Sequence, residues 1–524
     1  MKRFTIIALL LCLVVFGICF TRESVAQPVA AQTIPVAAQT QTPAHPAGGQ
    51  AQAPANINSP HSGREGVAGV PAERVVVLPV GGQAQAPTNA NSPHSGREGV
   101  APTALPVEGA TRAPVVIDTG DTAWMLISIA LVMLMTPGLA FFYGGMVRRK
   151  NILGILMQCF IVLGLITAQW IFFGYSLAFA PGKGFWGGLA WLGLNGVGSL
   201  PFKGYAATIP HEAFMIFQAM FAVITPALII GAFAERMRFS AFLIFTLLWA
   251  TFVYDPVCHW VWGVGGWLKD MGVLDFAGGT VVHINAGVAA LVTALVIGKR
   301  TGYANRPVPP HNLPFTVLGT ALLWFGWFGF NAGSALGANG LAVHALVVTH
   351  TAAAIAALTW ASLEWILNEK PTIFGTITGS IAGLATITPA SGFVTVFAAA
   401  IIGFSASVVC YFFVAIVKTK LGYDDSLDAF GVHGVGGILG TLATGLFASK
   451  AVNPAGADGL LYGNPKQFMV QLIAVAVIAL YSFAASYIIY KVVNLIIKVR
   501  VDQKEEIIGL DLTQHHENAY TIME

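Results

Sequence analysis

The sequence predicts an all-α polytopic membrane protein with eleven transmembrane helices, arranged as two inverted halves of five helices plus a final helix. Hydrophobic residues make up 56% of the 524 residues and charged residues 10%, and the mean hydropathy is +0.71. This balance excludes a soluble globular domain. Apolar segments of membrane-crossing length recur along the body of the chain, and two of them carry a histidine close to their start.

Residues 1–26 have the features of a cleaved secretory signal peptide. Lys2 and Arg3 precede an apolar run at 6–20, which is followed by a small-residue cleavage site at 24–26. The mature chain would then begin near Gln27, outside the membrane. An uncleaved anchor is the alternative, which the short apolar run and the polar stretch behind it disfavour.

Residues 27–115 form an extension that is rich in Ala, Pro, Gln and Gly and has almost no aromatic residues. Such a segment cannot bury enough apolar surface to offset the loss of conformational entropy, so we predict that it is disordered and extracytoplasmic. It contains a duplication, in which GGQAQAPANINSPHSGREGVA from Gly48 returns almost unchanged from Gly81. Two copies without a hydrophobic face do not predict a solenoid.

The membrane domain is predicted at 116–497. A helix that crosses the bilayer core needs about 20 residues, and eleven apolar segments reach or approach that length. They lie near 120–146, 152–180, 211–234, 240–268, 277–298, 313–335, 341–367, 372–388, 391–417, 430–448 and 467–497. The eighth segment is short and glycine-rich.

Basic residues in the short connections predict the orientation. With the N-terminus outside, the cytoplasmic loops carry eleven lysines and arginines and the external loops carry five. The positive-inside rule therefore agrees with the signal peptide and places the C-terminal tail, 498–524, in the cytoplasm. An odd number of spans inverts the second half relative to the first, as in transporters whose site lies between the repeats.

His283 and His433 lie early in spans five and ten, at corresponding places in the two halves. A titratable ring in a membrane span is costly and is therefore a functional-site hypothesis. A hydrogen-bonded packing histidine is the alternative for either residue alone, but the matched pair favours a site. Because a charged imidazole near the bilayer centre costs about 3 kcal/mol or more, we expect a neutral pair sharing one N–H···N bond.

Aromatic side chains at helical spacing predict a cup for a monovalent cation, worth about 0.5–2 kcal/mol per ring. Lipid-facing or interfacial aromatics are the alternative. The candidates are Phe217 and Phe221 on one helix face, Trp260 and Trp262 in HWVWG, and Trp327, Phe330 and Ser334 in GWFGFNAGSA.

Two acidic residues lie inside or beside the spans. Asp275 precedes FAGGTVVH and is predicted to cap the helix that carries His283. Asp255 precedes Pro256 inside span four, where a buried hydrogen-bonded role and a transport role both stay open. The five cysteines have no paired spacing and no nucleotide-binding pattern follows a strand, so we predict no metal or cofactor.

Several long stretches of the chain resemble the ammonium transporter (Amt/Rh) family, closest to its bacterial Amt branch. They begin at Pro137 (PGLAFFYGGMVRRKN), Phe173 (FGYSLAF), Gly231 (GAFAERMRFSAFLIF), Leu274 (LDFAGGTVVHINAGVAALV), Gly326 (GWFGFNAGSALGAN), Asp424 (DDSLDAFGVHGVGGILG) and Gly509 (GLDLTQHHENAY). Together they span about 120–520.

The resemblance implies a homotrimer in the inner membrane, in which each subunit has its own pore for ammonium and ammonia. The roles that it implies are an external gate of Phe217, Phe221 and Phe330, a site recruiting NH4+ or methylammonium at Phe221, Trp262 and Ser334, vestibule support by Asp275, and pore histidines His283 and His433. An ammonium sensor that signals to a cytoplasmic partner is the rival function. An enzyme is the remote third, because no nucleophile–base set is present.

The resemblance extends to the tail, which in relatives packs under the subunits and helps to couple the pores. It implies that a P-II-type regulatory protein binds there. A frayed terminus is the alternative. Against it stand four apolar residues that need a surface, namely Ile507, Ile508, Leu510 and Leu512.

Overall fold

The computed structural model of the chain describes residues 116–303 and 308–520. The predicted signal peptide, the predicted disordered extension at 27–115 and the last four residues of the tail lie outside the described residues. Within them the chain is helical, with one isolated β-bridge between Met237 and Arg500. The all-α fold class is therefore confirmed for the membrane domain.

Fourteen helices are numbered here in chain order, and several continue through a wider π-helical turn. They are α1 (Thr119–Met146), α2 (Ile152–Gln169, Trp170–Gly174, Tyr175–Phe179), α3 (His211–Phe233), α4 (Phe239–Trp249, Ala250–Tyr254, Asp255–Trp262), α5 (Trp267–Met271), α6 (Gly279–Ile284, Asn285–Ile297), α7 (Leu313–Gly333), α8 (Gly340–Asn368), α9 (Ile373–Ile387), α10 (Val396–Tyr411, Phe412–Val417, Lys418–Leu421), α11 (Phe430–Gly434, Val435–Phe447), α12 (Pro465–Ile496), α13 (Gln503–Ile508) and α14 (Leu510–His515).

Ten helices in the described part of the chain are long and apolar enough to cross a membrane. The predicted eighth span is α9, which has only 15 residues and is about 22 Å long at 1.5 Å per residue. The described residues thus contain ten helices of full spanning length and one shorter apolar helix, and the count of eleven spans stays a prediction. The physical reason for the shorter helix is that α9 is buried along most of its length against other helices, so its length is not set by the lipid.

Glycine allows the helices to approach closely along α1 and α7. A methyl group added at Gly319 would lie 2.2 Å from the backbone nitrogen of Phe142, and one added at Gly326 would lie 2.3 Å from Met135 Cγ. Small residues at such crossings are how membrane helices gain packing contacts when the surrounding lipid is equally apolar. The many glycines of the spans are therefore packing residues.

The crossing of α6 and α11 positions the two histidines. A methyl group added at Gly287 would lie 2.1 Å from the nitrogen of Gly434, and one added at Gly437 would lie 2.9 Å from His283 Cβ. Both helices also begin with a π-helical turn that contains the histidine. This shared geometry favours the predicted inverted repeat, because it places His283 and His433 at equivalent points of two crossing helices.

The tail docks against the loops at one end of the bundle, which we call the tail end. Val501 N donates to Arg236 O at 3.0 Å, Leu510 N donates to Asn151 Oδ1 at 2.8 Å, and Gly154 N donates to Asp511 Oδ1 at 2.8 Å. The predicted docking is confirmed for 498–520, so the tail is not a frayed terminus.

The expectation that four apolar residues attach the tail was wrong in part. Of the four apolar residues, only Leu510 is buried, at 5% exposure. Ile507, Ile508 and Leu512 remain 58%, 53% and 46% exposed within the chain. Polar contacts of the backbone and of acidic side chains attach the tail, and these contacts give no periodic sequence signal.

Candidate functional site

A cavity of about 230 Å³ opens at the end of the bundle opposite the tail, and we call it the vestibule. It brings together residues from α2, α3, α4 and α5 and from four connecting segments. Its lining consists of Phe179, Gly204, Tyr205, Phe214, Gln218, Phe221, Trp262, Lys269, Asp275, Phe276, Ser334, Leu336 and Phe393. Four of the residues singled out from the sequence, Phe221, Trp262, Asp275 and Ser334, therefore meet in one cavity.

Trp262 is held in the vestibule by its indole. Its Nε1 donates a hydrogen bond to the backbone oxygen of Asp275 at 2.9 Å, and its ring meets the ring of Phe221 edge-on at a centroid distance of 5.8 Å. Trp260, the other tryptophan of the HWVWG segment, donates instead to Phe185 O and packs on Tyr481, away from the vestibule. The structure thus separates two residues that the sequence could not tell apart.

Ser334 lines the vestibule as an acceptor. Its hydroxyl donates to the backbone oxygen of Phe330 at 2.8 Å, so the proton is used within the helix and the oxygen lone pairs remain. A cation that carries N–H groups can donate to those lone pairs. The residue type and the geometry therefore suit a donor-rich cation.

Asp275 caps α6 as the sequence predicts. One carboxylate oxygen accepts from the backbone N–H groups of Gly278 and Gly279 at 2.8 and 2.6 Å, and the other accepts from those of Thr280 and Val281 at 2.8 and 3.2 Å and from the Thr280 hydroxyl. Its charge is thereby turned towards the N-terminus of the helix, where it also favours the helix dipole.

Phe221, which lines the vestibule, meets Phe330, which lines the next cavity, and we call this ring pair the closure. The rings of Phe221 and Phe330 stack with centroids 4.2 Å apart, and both side chains are fully buried. Phe217 contacts Phe221 at a centroid distance of 5.0 Å but lines neither the vestibule nor the cavity beneath it. The structure therefore forms the closure from Phe221 and Phe330 and leaves Phe217 packed behind them.

Beyond the closure, a small cavity contains both histidines. It has a volume of about 10 Å³, and His283, His433, Trp327 and Phe330 belong to an otherwise aliphatic and aromatic lining. A volume of this size holds about one water-sized molecule. A second cavity of about 10 Å³ follows towards the tail end, lined by His433, Phe142 and Asp428 among others.

The two imidazoles do not share the expected hydrogen bond. Their planes are nearly parallel, 12° apart, with centroids separated by 5.3 Å, and His283 also stacks on Trp327 at 5.5 Å. Neither nitrogen of His283 has a hydrogen-bond partner within the described part of the chain. The tight crossing of α6 and α11 sets this face-to-face arrangement, which leaves ring nitrogens free for a small solute.

Asp255 lies outside this path. It is fully buried in α4, where its Oδ2 accepts from Gln169 Nε2 at 2.7 Å while Oδ1 has no partner among the described residues. The hydrogen bond supports the buried role that the sequence left open. The neighbouring Thr251 and Tyr254 make the surroundings polar but supply no positive charge.

An ion-pair cluster surrounds the loops at the tail end. Glu235, whose side chain is fully buried, accepts from Arg148 Nε at 3.0 Å, from Asn151 Nδ2 at 2.9 Å and from Arg300 Nη1 at 3.1 Å. Burial opposes the ionisation of Glu235, but the charges of Arg300 and Arg148 outweigh it and lower its pKa. Arg300 also pairs with Asp424 at 2.8 Å.

Beside the second small cavity, Asp425 caps the start of α11. Its carboxylate accepts from the N–H groups of Ala429 and Phe430 at 3.2 and 2.8 Å. Burial and the nearby charge of Asp428 raise the pKa of Asp425 to about 6, against the opposing effect of Lys418. Lys418 and Asp428 form a salt bridge at the same place.

The sequence alone did not identify several residues of the path. Tyr205, Gln218, Lys269 and Phe276 line the vestibule, and Phe142 lines both small cavities. Most of them come from loops or from the middle of long apolar helices, where nothing in the local pattern distinguishes them. Lys269 alone had a signal, since it is a charged residue between two apolar segments.

One family model and several known proteins resemble this chain. The model described as the Ammonium Transporter Family matches residues 123–520. An ammonium transporter of Bacillus subtilis (strain 168) is 55% identical over 402 residues, covering 76% of this chain and 98% of the relative. The crystal structure of Candida albicans Mep2 has a TM-score of 0.71 at 37% identity, covering 77% of this chain and 90% of that one. A structure described as a sensor Amt protein has a TM-score of 0.69 at 28% identity, covering 76% and 98%.

Proposed function

The chain belongs to the ammonium transporter family, and we propose that it moves ammonium through the path formed by the vestibule, the phenylalanine closure and the histidine cavity. The observation that carries this proposal is the succession of these parts: Phe221 of the aromatic vestibule stacks on Phe330 of the first small cavity, and His433 lines both small apolar cavities. No cofactor or metal is required by this mechanism.

NH4+ is recruited in the vestibule by Trp262, Phe221 and Ser334. The two ring systems attract a cation through their negative faces, and Ser334 Oγ accepts an N–H hydrogen bond. K+ has nearly the same size but cannot donate a hydrogen bond. Recruitment therefore favours ammonium and methylammonium over potassium.

The closure admits a neutral solute more readily than an ion. The stacked rings of Phe221 and Phe330, together with the apolar lining beneath, offer a bare cation little replacement for its hydration shell. NH4+ that gives its proton to water in the vestibule can pass the rings as NH3. The stacked rings must move apart for a molecule of that size to pass.

His283 and His433 guide NH3 through the small cavity as neutral rings. A charged imidazole would be unfavourable by about 3 kcal/mol or more at this depth. Their free ring nitrogens can donate to or accept from NH3 in turn, because the two nitrogens of a neutral imidazole differ in role. Hydrogen bonds to the imidazoles thus take the place of the hydrogen bonds that NH3 makes with water outside the apolar cavity.

Saturable uptake tests the proposal. Purified protein in vesicles of defined lipid should take up methylammonium, and ammonium should compete for the uptake while potassium does not. Lys466→Gln changes an exposed residue that lines none of the three cavities described above, and this control variant should take up methylammonium as fast as the wild type. Uptake no faster than in protein-free vesicles would reject transport.

We propose further that the subunits form a homotrimer in the inner membrane, with the vestibule outside and the tail in the cytoplasm. The charge bias of the loops supports this orientation. A reporter fused after Glu524 should score as cytoplasmic, and cross-linking of the purified protein should stop at three subunits. An external reporter signal would reverse the direction of the path.

Sensing is the second candidate function, and the docked tail favours it. Glu506 Oε1 accepts from Thr301 N at 2.5 Å and Glu506 pairs with Arg500 at 2.9 Å, so the tail contacts the loops around the exit. A P-II-type partner bound there would report or block the pore. Truncation after Arg500 should reduce flux and abolish the binding of such a partner. Unchanged flux and binding would assign the tail neither role.

A further inference from the structure

A lysine side chain reaches into the vestibule beside the proposed cation site. Lys269, on the short helix α5, lines the same cavity as Trp262, Phe221 and Ser334. Its Nζ donates to the backbone oxygen of Trp262 at 2.9 Å and lies 5.4 Å from the ring centroid of Tyr205. The protein therefore holds a primary ammonium of its own where it receives an ammonium ion.

The charge of Lys269 is not neutralised by contact. Within the described residues it takes part in no salt bridge. Asp275 is the acid of the vestibule lining, but its carboxylate is turned towards the N–H groups of α6. Asp270, next to Lys269 in sequence, acts on its charge from a distance but is exposed and forms no salt bridge with it among the described residues. A positive charge therefore acts on the vestibule.

We propose that the Lys269 ammonium opposes the access of cations to the vestibule and thereby sets the affinity of the transporter for NH4+. The inference rests on the proposed transport function and adds a residue that tunes it. All monovalent cations feel the same repulsion, so Lys269 adjusts affinity without altering the preference for ammonium over potassium. Selectivity remains with the aromatic rings, Ser334 and the dry pore.

The size of the vestibule sets how strongly the Lys269 charge repels a bound NH4+. A volume of about 230 Å³ is roughly 8 Å across, so an NH4+ in the vestibule lies within about 8 Å of Lys269 Nζ. With an effective dielectric constant between that of water and that of a protein surface, repulsion at this distance weakens binding by a factor of about 2 to 30. Because the vestibule is open to solvent, dissolved salt reduces the effect.

If Lys269 had only a structural role, replacing it would change the KM for ammonium in the opposite direction. If Lys269 served only to hold the backbone of Trp262, its removal would loosen the tryptophan and raise the KM for ammonium. If its charge opposes cations, removal of the charge lowers the KM. Lys269→Gln keeps a hydrogen-bond donor and Lys269→Met keeps the apolar stem, whereas Lys269→Arg keeps the charge.

The experiment measures saturable methylammonium uptake, and its inhibition by ammonium, in vesicles containing the wild type or each variant. Lys269→Gln and Lys269→Met should lower the KM by a factor of about 2 to 30, and Lys269→Arg should match the wild type. The difference should shrink when ionic strength is raised with the salt of a bulky organic cation. Lys466→Gln, which removes a charge outside the vestibule, should leave the KM unchanged.

Each other outcome overturns the inference. An unchanged or raised KM in both neutral variants would assign Lys269 a structural role. An equal decrease in Lys466→Gln would assign the effect to general surface charge. A wild type that transports normally in either case leaves the proposed function intact. A wild type without saturable uptake removes the proposed function, and this inference with it.

Discussion

The carboxylate of Asp275, in the vestibule lining, holds the start of α6, the helix that carries His283. Replacing it with the isosteric amide tests this role. In the wild type both oxygens accept hydrogen bonds from the first turn of α6, four from backbone N–H groups and one from a hydroxyl. In Asp275→Asn one oxygen becomes an NH2 group, which must face N–H donors. Two backbone N–H groups then lose their acceptor.

The burial of Asp275 determines how much stability this substitution removes. Asp275 is 7% exposed, so water replaces the lost acceptor poorly, and each unsatisfied N–H group is unfavourable by about 1–2 kcal/mol. We therefore expect Asp275→Asn to lower the free energy of unfolding by about 2–4 kcal/mol. Because Trp262 donates to the backbone oxygen of Asp275 and His283 lies in the same turn, ammonium uptake should fall as well.

Thermal unfolding in one detergent, paired with methylammonium uptake, measures both effects. Asp270→Asn is the matched control for stability, since it makes the same chemical change on an exposed residue of α5, five residues before Asp275. It should leave the unfolding midpoint unchanged. If Asp275→Asn unfolded at the wild-type midpoint, the reasoning that its carboxylate holds the start of α6 would be refuted.

Three further predictions concern the pore, the vestibule and the tail-end loops. His283→Ala and His433→Ala should alter ammonium flux or its preference over potassium in folded protein; wild-type transport by both would return the histidines to packing. Trp262→Leu should raise the KM for methylammonium by about 2- to 30-fold, the equivalent of 0.5–2 kcal/mol, more than it lowers stability; an unchanged KM would count against recruitment at this ring. The raised pKa of Asp425 means that the folded state holds its proton more tightly than the unfolded state, so this group's contribution to stability falls as pH rises from about 4 to about 6. Asp425→Asn should remove that dependence in unfolding measured across this window, and parallel curves for variant and wild type would contradict it.

Helix positions could be predicted from the sequence wherever hydropathy determined them. The predicted segment 211–234 corresponds to α3 at His211–Phe233, and 313–335 corresponds to α7 at Leu313–Gly333. The predicted eighth segment, 372–388, corresponds to α9 at Ile373–Ile387, a short helix that is surrounded by protein. A helix that does not face lipid across its whole length has no reason to match the thickness of the bilayer.

The candidate site was predictable where a residue type is rare in membrane spans. His283 and His433 stand out for that reason, and Asp275 stands out because an acid before an apolar helix predicts a cap. Aromatic residues gave a weaker signal, since Trp260 and Trp262 look alike in sequence and only Trp262 lines the vestibule. Near the end of a helix, where both tryptophans lie, the direction of a side chain depends on where the helix ends and how the backbone turns there.

By itself, the sequence determined that this chain is a helical membrane protein with paired histidines, because burial in lipid leaves a strong compositional pattern. Only the tertiary structure decided that Phe221 and Phe330 form the closure, that the imidazoles stack without a shared hydrogen bond, and that Lys269 points into the vestibule. The physical reason is that these contacts join distant segments across helix crossings such as Gly287 against Gly434. Their geometry is set by how closely two backbones approach, a property of the pair of helices that neither segment encodes alone.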